Sequence, residues 1–228
     1  MRPHDQSIEA SQDGSHTAFS TKYNAHYHSI YGALEESIHV FISAGLFYKQ
    51  RKGQKNISIL EMGFGTGLNA LLTLIESKRF GLQTHYHTVE SDPFQSELVH
   101  DLNYPKVLNL DLASTNQFEA MHTSEWNTNH LINEQFNFKK FLGDIQEIEF
   151  EKEVYDIIYY DAFAPSCQSY LWERPLHEKL FNSLNSNGIL VTYCTQGAFK
   201  RHLKSIGYKL EILNGPAKKR EMVRAVKP

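Results

Sequence analysis

The run Glu61-Met-Gly63-Phe-Gly65-Thr-Gly67-Leu-Asn69 holds the residues best suited to gripping a small ligand. Three glycines stand at alternate positions, with a carboxylate ahead of them and an amide behind. Glycine tolerates positive φ and leaves no side chain in a ligand's way, and a helix starting at such a loop aims its first N–H groups at whatever lies there. The spacing decides which ligand. A dinucleotide fingerprint needs a third glycine where Leu68 stands. A phosphate-cradling loop ends in Gly-Lys-Ser/Thr, and this one ends in Gly-Leu-Asn. Neither phosphate motif fits. Three further acids, Glu90, Asp144 and Asp161, each close an apolar stretch.

These side chains need an open α/β sheet to bring them together. Ile57, Ile59, Leu60 and Met62 read as a buried parallel strand, and Leu68, Leu71, Leu72 and Ile75 resume at helical spacing. Residues 84–90 form a second strand ending in Glu90, which follows Gly65 by 25 residues. That interval suits an acid accepting hydrogen bonds from ribose hydroxyls, although a solvated strand-end carboxylate has the same position. Pro93 opens a helix through Leu98 and Leu102, and another covers about Ser114 to Trp126. His130 to Phe141 alternates about Asn133-Glu134 and reads as a hairpin. Asp144, just beyond it, is placed to meet an adenine amino group or to cap Ile145–Ile148. Residues 154–160 form a strand that delivers Asp161 to the carboxyl ends of the central strands, where open sheets bind ligands. A helix with Leu176, Leu180 and Leu184, a strand over 189–193, a helix over 197–206 and strands over 208–213 and 221–226 complete the unit. Ahead of it, residues 1 to about 20 read as a loose polar arm. A helix over about 33–48 carries Glu35 and Glu36 in its first turn, where acids suit the helix dipole. The expected organisation is an N-terminal arm and helical extension over 1–50 and a single α/β domain over 51–228. Its sheet has seven mostly parallel strands, the last antiparallel.

The totals agree with a globular protein: 228 residues, 41% hydrophobic and 21% charged. The N-terminus shows no secretory signal and no stretch is apolar for long enough to cross a bilayer. Cys167 and Cys194 lack metal-ligand spacing and are expected to be reduced thiols of a cytoplasmic protein; no metal site is expected. The net charge is −3, but residues 200–228 carry nine Lys/Arg against two Glu, so the preceding 199 carry −10. A basic segment on an acidic body is a candidate phosphate footprint, and equally a solubilising edge.

The acid-x-Gly-x-Gly-x-Gly loop resembles the first motif of S-adenosylmethionine (SAM)-dependent methyltransferases. Taken with Asp161-Ala-Phe-Ala-Pro165 and Lys219-Arg-Glu-Met222, the chain resembles the methyltransferase domain of the MnmC family, which completes 5-methylaminomethyl-2-thiouridine at the tRNA wobble position. Tyr27-x-Ser29, Leu34-Glu-Glu36, Gly143-Asp144 and Phe199-x-Arg201 extend the likeness over nearly the whole chain. The resemblance implies a Rossmann-like class I methyltransferase fold and SAM bound by Glu61, Gly63, Gly65, Gly67, Asn69, Glu90 and Asp144. It also implies Asp161 as the catalytic residue accepting a hydrogen bond from the substrate amine, with Lys219, Arg220 and Arg201 contacting tRNA near the anticodon. Tyr27 and Tyr31 are candidate stacking platforms for the base. Known members carry an FAD-dependent oxidase after this domain. That chemistry is not expected of these residues, so a separate enzyme would supply the aminomethyl group. Ala217 stands where the family commonly has glycine.

Two other classes share these features. An aminopropyltransferase has the same sheet and a strand-end Asp, but wants a second acid near Asp161, and the sequence beside it is Ala-Phe-Ala-Pro; a small-amine methyltransferase is a variant of that reading. A non-catalytic nucleoside- or RNA-binding adaptor has no need of the intact set Glu61, Gly63, Gly65, Gly67, Glu90 and Asp161.

Overall fold

The computed structural model describes residues 6–216 and 218–228. Its organising element is β4 (Asn56–Met62), but three short strands precede it: β1 (Gln6–Ala10), β2 (His16–Ser20) and β3 (Ala25–His26), joined as an antiparallel sheet. The described part of the polar arm is therefore ordered, contrary to the expectation from its composition. The reason lies in where its polar side chains go. In the turn between β1 and β2, Asp13 Oδ1 accepts from Ser11 Oγ (2.7 Å) and Ser15 N (3.0 Å). The same turn then caps the helix that follows. Ala33 N donates to Ser11 Oγ, Leu34 N to Ser15 Oγ and Glu35 N to Asp13 Oδ2, at 3.0–3.2 Å. Helix starts leave such N–H groups unpaired, and here a remote turn satisfies them.

That helix, α1, runs over residues 33–51, with wide π-turns at Ile38–Leu46 between α-helical ends. Val40, Phe41, Ile42 and Leu46 bury against the main sheet. Gly45 allows the close approach: a Cβ there would stand 3.0 Å from the Tyr159 ring.

After β4 come α2 (Leu68–Phe80) and β5 (Gln83–Glu90). A 3-10 turn at Ser96–Asp101 and a short helix α3 (Tyr104–Val107) replace the helix expected from Pro93. Asp92 N is drawn to Glu90 Oε1 (2.7 Å) and Gln95 N to Gln6 Oε1 (2.8 Å), which holds this stretch extended until Ser96. Helix α4 (Leu112–Thr123) leads to the hairpin β6 (His130–Asn133) and β7 (Phe136–Leu142), then β8 (Tyr155–Tyr160), α5 (Arg174–Ser183), β9 (Leu184–Thr192), α6 (Gly197–Ile206), β10 (Lys209–Asn214) and β11 (Glu221–Val226).

The main sheet has the order β10-β11-β9-β8-β4-β5-β7-β6. Strands β7, β5, β4, β8 and β9 are parallel, while β6 and the β10–β11 hairpin are antiparallel. The eighth strand, against seven expected, is the first arm of the 130–142 hairpin, which joins the edge of the sheet. Alternation along the strands separates two cores. Ile157 and Tyr159 face the layer of α1, α2 and α4, whereas Ile158 and Tyr160 face α5 and α6. From β4 the chain builds outward through β5 to β7 and then returns to β8 on the other side. That reversal opens a crevice at the carboxyl ends of β4 and β8. Among the described residues, no helix is long and apolar enough to cross a membrane.

Candidate functional site

The loop after β4 and the loop after β8 meet across this crevice. Between them lies a cleft that is open to solvent at its mouth. Gly63, Phe64 and Gly65 form its floor, Glu90 and Ser91 one wall, Gly143, Asp144 and Ile145 another, and Asp161, Ala162 and Phe163 the far side. Tyr23, Tyr27 and His28 close it from the N-terminal segment. Met62, Val89, Ile145 and Leu171 supply apolar surface.

Gly65 N donates to Glu90 Oε2 (3.0 Å), tying the glycine loop to the tip of β5. With Asp92 N on Oε1, each Glu90 carboxylate oxygen keeps lone-pair capacity for a further donor. Burial raises the Glu90 pKa, and the N–H groups of Asp92 and Gly65 oppose that rise. Gly65 itself has φ +49°, and a Cβ on it would lie 2.8 Å from Tyr27 Cδ1. Tyr27 thus rests directly on the loop. Its hydroxyl accepts from Gln6 Nε2 (2.8 Å), and its ring meets Phe94 and Phe163 edge-on.

Asp161 is the chemically poised group. Its side chain is 8% exposed, and Asn69 Nδ2, from the first turn of α2, donates to its Oδ2 at 2.7 Å. Burial, and then the nearby Glu36 carboxylate, push its pKa up to about 7, against the Asn69 hydrogen bond and the Lys219 charge. His28 Nδ1 lies 3.7 Å from the same oxygen. Burial drives His28 down to about 4, so it faces Asp161 as a neutral ring.

The fold brings together Gly63, Gly65, Glu90, Asp144, Asp161 and Tyr27 in the cleft itself. Asp144 Oδ1 accepts from Gln146 N (2.9 Å), so it also caps the turn that follows. Glu61, Gly67 and Asn69 stand behind the lining rather than in it. Glu61 is fully buried beneath the loop, where desolvation lifts its pKa well above the usual carboxylate range. Gly67 starts α2. Tyr31 is exposed, with Lys218 Nζ 4.0 Å above its ring. Lys219 pairs with the buried Glu36 Oε2 and lies 3.9 Å from the Tyr193 ring centroid. Arg201 and Arg220 are exposed. Ala217 lies outside the described residues.

Sequence reasoning missed four participants. Tyr23, His28 and Gln168 line the cleft without belonging to a spaced motif. Glu36, read as a dipole partner, is 6% exposed and accepts from Ser29 N through Oε1 (3.2 Å). It is the second acid that the residues beside Asp161 did not offer, reached from α1 and held by Lys219.

A family model for S-adenosyl-L-methionine-dependent methyltransferases matches residues 112–228. The chain is 27% identical over 96% of its length to the tRNA 5-methylaminomethyl-2-thiouridine biosynthesis bifunctional protein MnmC of Pseudoalteromonas atlantica. It is 29% identical over 91% to the protein of that name from Leptospira interrogans. In both cases it spans about a third of the relative's length (33%). The crystal structure of MNMC2 from Aquifex aeolicus shares the fold, with a TM-score of 0.75 at 23% identity over 100% of this chain and 72% of that one. The match over the C-terminal half, which includes the Asp161 loop and the β8–β11 core, settles the family: the chain belongs to the S-adenosyl-L-methionine-dependent methyltransferases.

Proposed function

We propose that this chain uses SAM to N-methylate the primary amine of 5-aminomethyl-(2-thio)uridine at the tRNA wobble position, giving 5-methylaminomethyl-(2-thio)uridine. The observation that carries the reading is Asp161: a buried carboxylate on the cleft, oriented by Asn69 and titrating near neutrality. The MnmC names of the relatives point the same way, though each relative is about three times as long as the stretch matched. Work on tRNA would place the protein in the cytoplasm, and a separate enzyme would supply the aminomethyl group.

The residues present fit SAM. Glu90 retains acceptor capacity toward ribose hydroxyls, Asp144 toward the adenine amino group, and Met62, Val89, Ile145 and Leu171 offer apolar faces to the ring. When bound, SAM supplies an electrophilic methyl group on a sulfonium. The protein's part is to present a neutral amine to it. An ammonium has no lone pair, so Asp161 accepts the amine's hydrogen bond and takes up its proton, a role suited to a group titrating at about 7. Because the charged carboxylate is the acceptor, activity falls as pH drops below about 7. Holding the reacting atoms in line contributes on the order of 7–11 kcal/mol in favourable cases. Lys218, Arg220 and Arg201, exposed or at the rim, are the candidate phosphate contacts.

Gly65→Ala is expected to weaken SAM binding at least tenfold, because the new methyl must displace Tyr27 and adopt φ +49°. Calorimetric titration with SAM checks it, and unchanged affinity would remove the loop from the cofactor site. The direct test of function is transfer of labelled methyl from SAM to tRNA isolated from cells lacking this protein, with nucleosides resolved by mass spectrometry. Appearance of 5-methylaminomethyl-uridine establishes the reaction. If SAM binds and tRNA stays unlabelled, the wobble-uridine reading fails, and small amines and polyamines become the substrates to assay.

A further inference from the structure

Four ionisable side chains from three stretches of the chain meet around Asp161: His28 before α1 and Asp161 after β8 line the cleft, and Glu36 on α1 and Lys219 before β11 pair with each other outside its lining. Glu36 is nearly fully buried and both its oxygens are engaged, one by Ser29 N and the other by the Lys219 ammonium. Lys219 is fixed on its other side by the face of Tyr193, a cation–π contact at 3.9 Å. Tyr193 in turn donates to Ala162 O (2.7 Å), the residue after Asp161. Lys219 keeps about 39% of its side chain exposed, but its ammonium is already paired with Glu36, so a phosphate contact would have to share or replace that partner.

We propose that Glu36 and Lys219 are a positioning couple for Asp161: Glu36 holds the Lys219 ammonium off the Asp161 carboxylate and so leaves that carboxylate to the substrate amine. Lys219 rests on Tyr193, which is bonded to the residue after Asp161, so an ammonium released from Glu36 has the Asp161 carboxylate as its alternative partner and would occupy the acceptor. The inference rests on the function proposed above and extends it by two residues that need not touch substrate. It also gives a physical meaning to the joining of α1 to the β10–β11 loop, since the pair spans 183 positions of sequence.

Asp161 is faced by His28, Glu36, Glu61, Tyr86, Tyr193 and Lys219, with Asn69 hydrogen-bonded to it. Of these, Glu36 raises and Lys219 lowers its proton affinity. The two halves of one pair must therefore act in opposite directions. Glu36→Gln removes a negative charge and frees Lys219, so the acid limb of the methyl-transfer profile shifts to lower pH. Lys219→Gln removes the positive charge, and the limb shifts to higher pH. The double variant returns toward the parent position. The same displacements are expected in the free protein, read by the carboxyl ¹³C resonance of labelled aspartate and identified by its absence in Asp161→Asn. That titration needs no tRNA, so a wrong substrate leaves it intact. A couple that only held the fold together would depress both single variants without opposed shifts. Shifts in the same direction, or no shift in either variant, would overturn the proposal. If either single variant fails to fold, Glu36→Asp and Lys219→Arg keep the charges and are expected to retain the parent profile; a displaced profile in both would count against it.

Discussion

Asp161→Asn is expected to lower the methyl-transfer rate constant by roughly 10²- to 10⁴-fold, the usual contribution of a positioned proton acceptor. SAM affinity should stay within a few-fold of the parent. The substitution keeps an oxygen to accept from Asn69 Nδ2 and changes the volume little, so it removes the charge and the basicity alone. The same variant should melt several degrees higher near pH 8. The sign follows from linkage. The folded-state pKa of about 7 stands above the ordinary aspartate value of 3.8, so between those values the native state binds more protons than the unfolded one. Stability therefore falls as pH rises through this window, and above it the native protein carries a buried charge at full cost. Replacing that charge relieves the cost, and the difference should close as pH falls toward 4. Stability gained where activity is lost marks a group held against the preference of the fold. A variant that loses activity and also melts lower at pH 8 would instead make Asp161 a structural turn carboxylate, and the proposed mechanism would lose its base.

The sequence displayed the part of this site that local chemistry dictates. The glycine loop, Glu90 and Asp161 each follow an apolar strand, and parallel strands in an open sheet have only one end at which to deliver such groups. Helix α6 and strand β11 fall where periodicity puts them, residues 197–206 and 221–226. What stayed hidden was set by contacts between distant segments. Glu36 has a sufficient local reason to stand in a first helical turn, and nothing near it announces Lys219. Residues 6–20 read as loose because Ser11, Asp13 and Ser15 favour turns, whereas in the fold those side chains cap α1 from 19 or more positions away. Pro93 could start a helix, but Glu90 claims the N–H before it and Gln6 the N–H of Gln95 after it. In each case the deciding partner lies far off in sequence, beyond the reach of spacing rules.

The second large effect is expected at Glu90, and it should fall on binding rather than on chemistry. Glu90→Ala removes the acceptor for Gly65 N and Asp92 N together with the carboxylate proposed to meet the ribose. A hydrogen bond to a charged group is worth about 1.5–3 kcal/mol. Loss of one such ligand contact weakens SAM binding by roughly 10- to 100-fold, and a loosened glycine loop adds to that. At saturating SAM the methyl-transfer rate should recover to within several-fold of the parent, because Asp161 and Asn69 sit across the crevice, just after β8 and on α2, and do not depend on the tip of β5. Glu90→Gln is the sharper variant. It keeps one oxygen for one N–H but turns an NH₂ group toward the other, so it should bind SAM more weakly than the parent with little change in volume. Titration calorimetry for affinity and single-turnover transfer for rate separate the two quantities. Asp161 variants should move only the rate and Glu90 variants chiefly the affinity. If Glu90→Ala leaves SAM binding intact, the cofactor does not lie against the tip of β5, and the division of the cleft into a Glu90 side that binds and an Asp161 side that reacts is wrong.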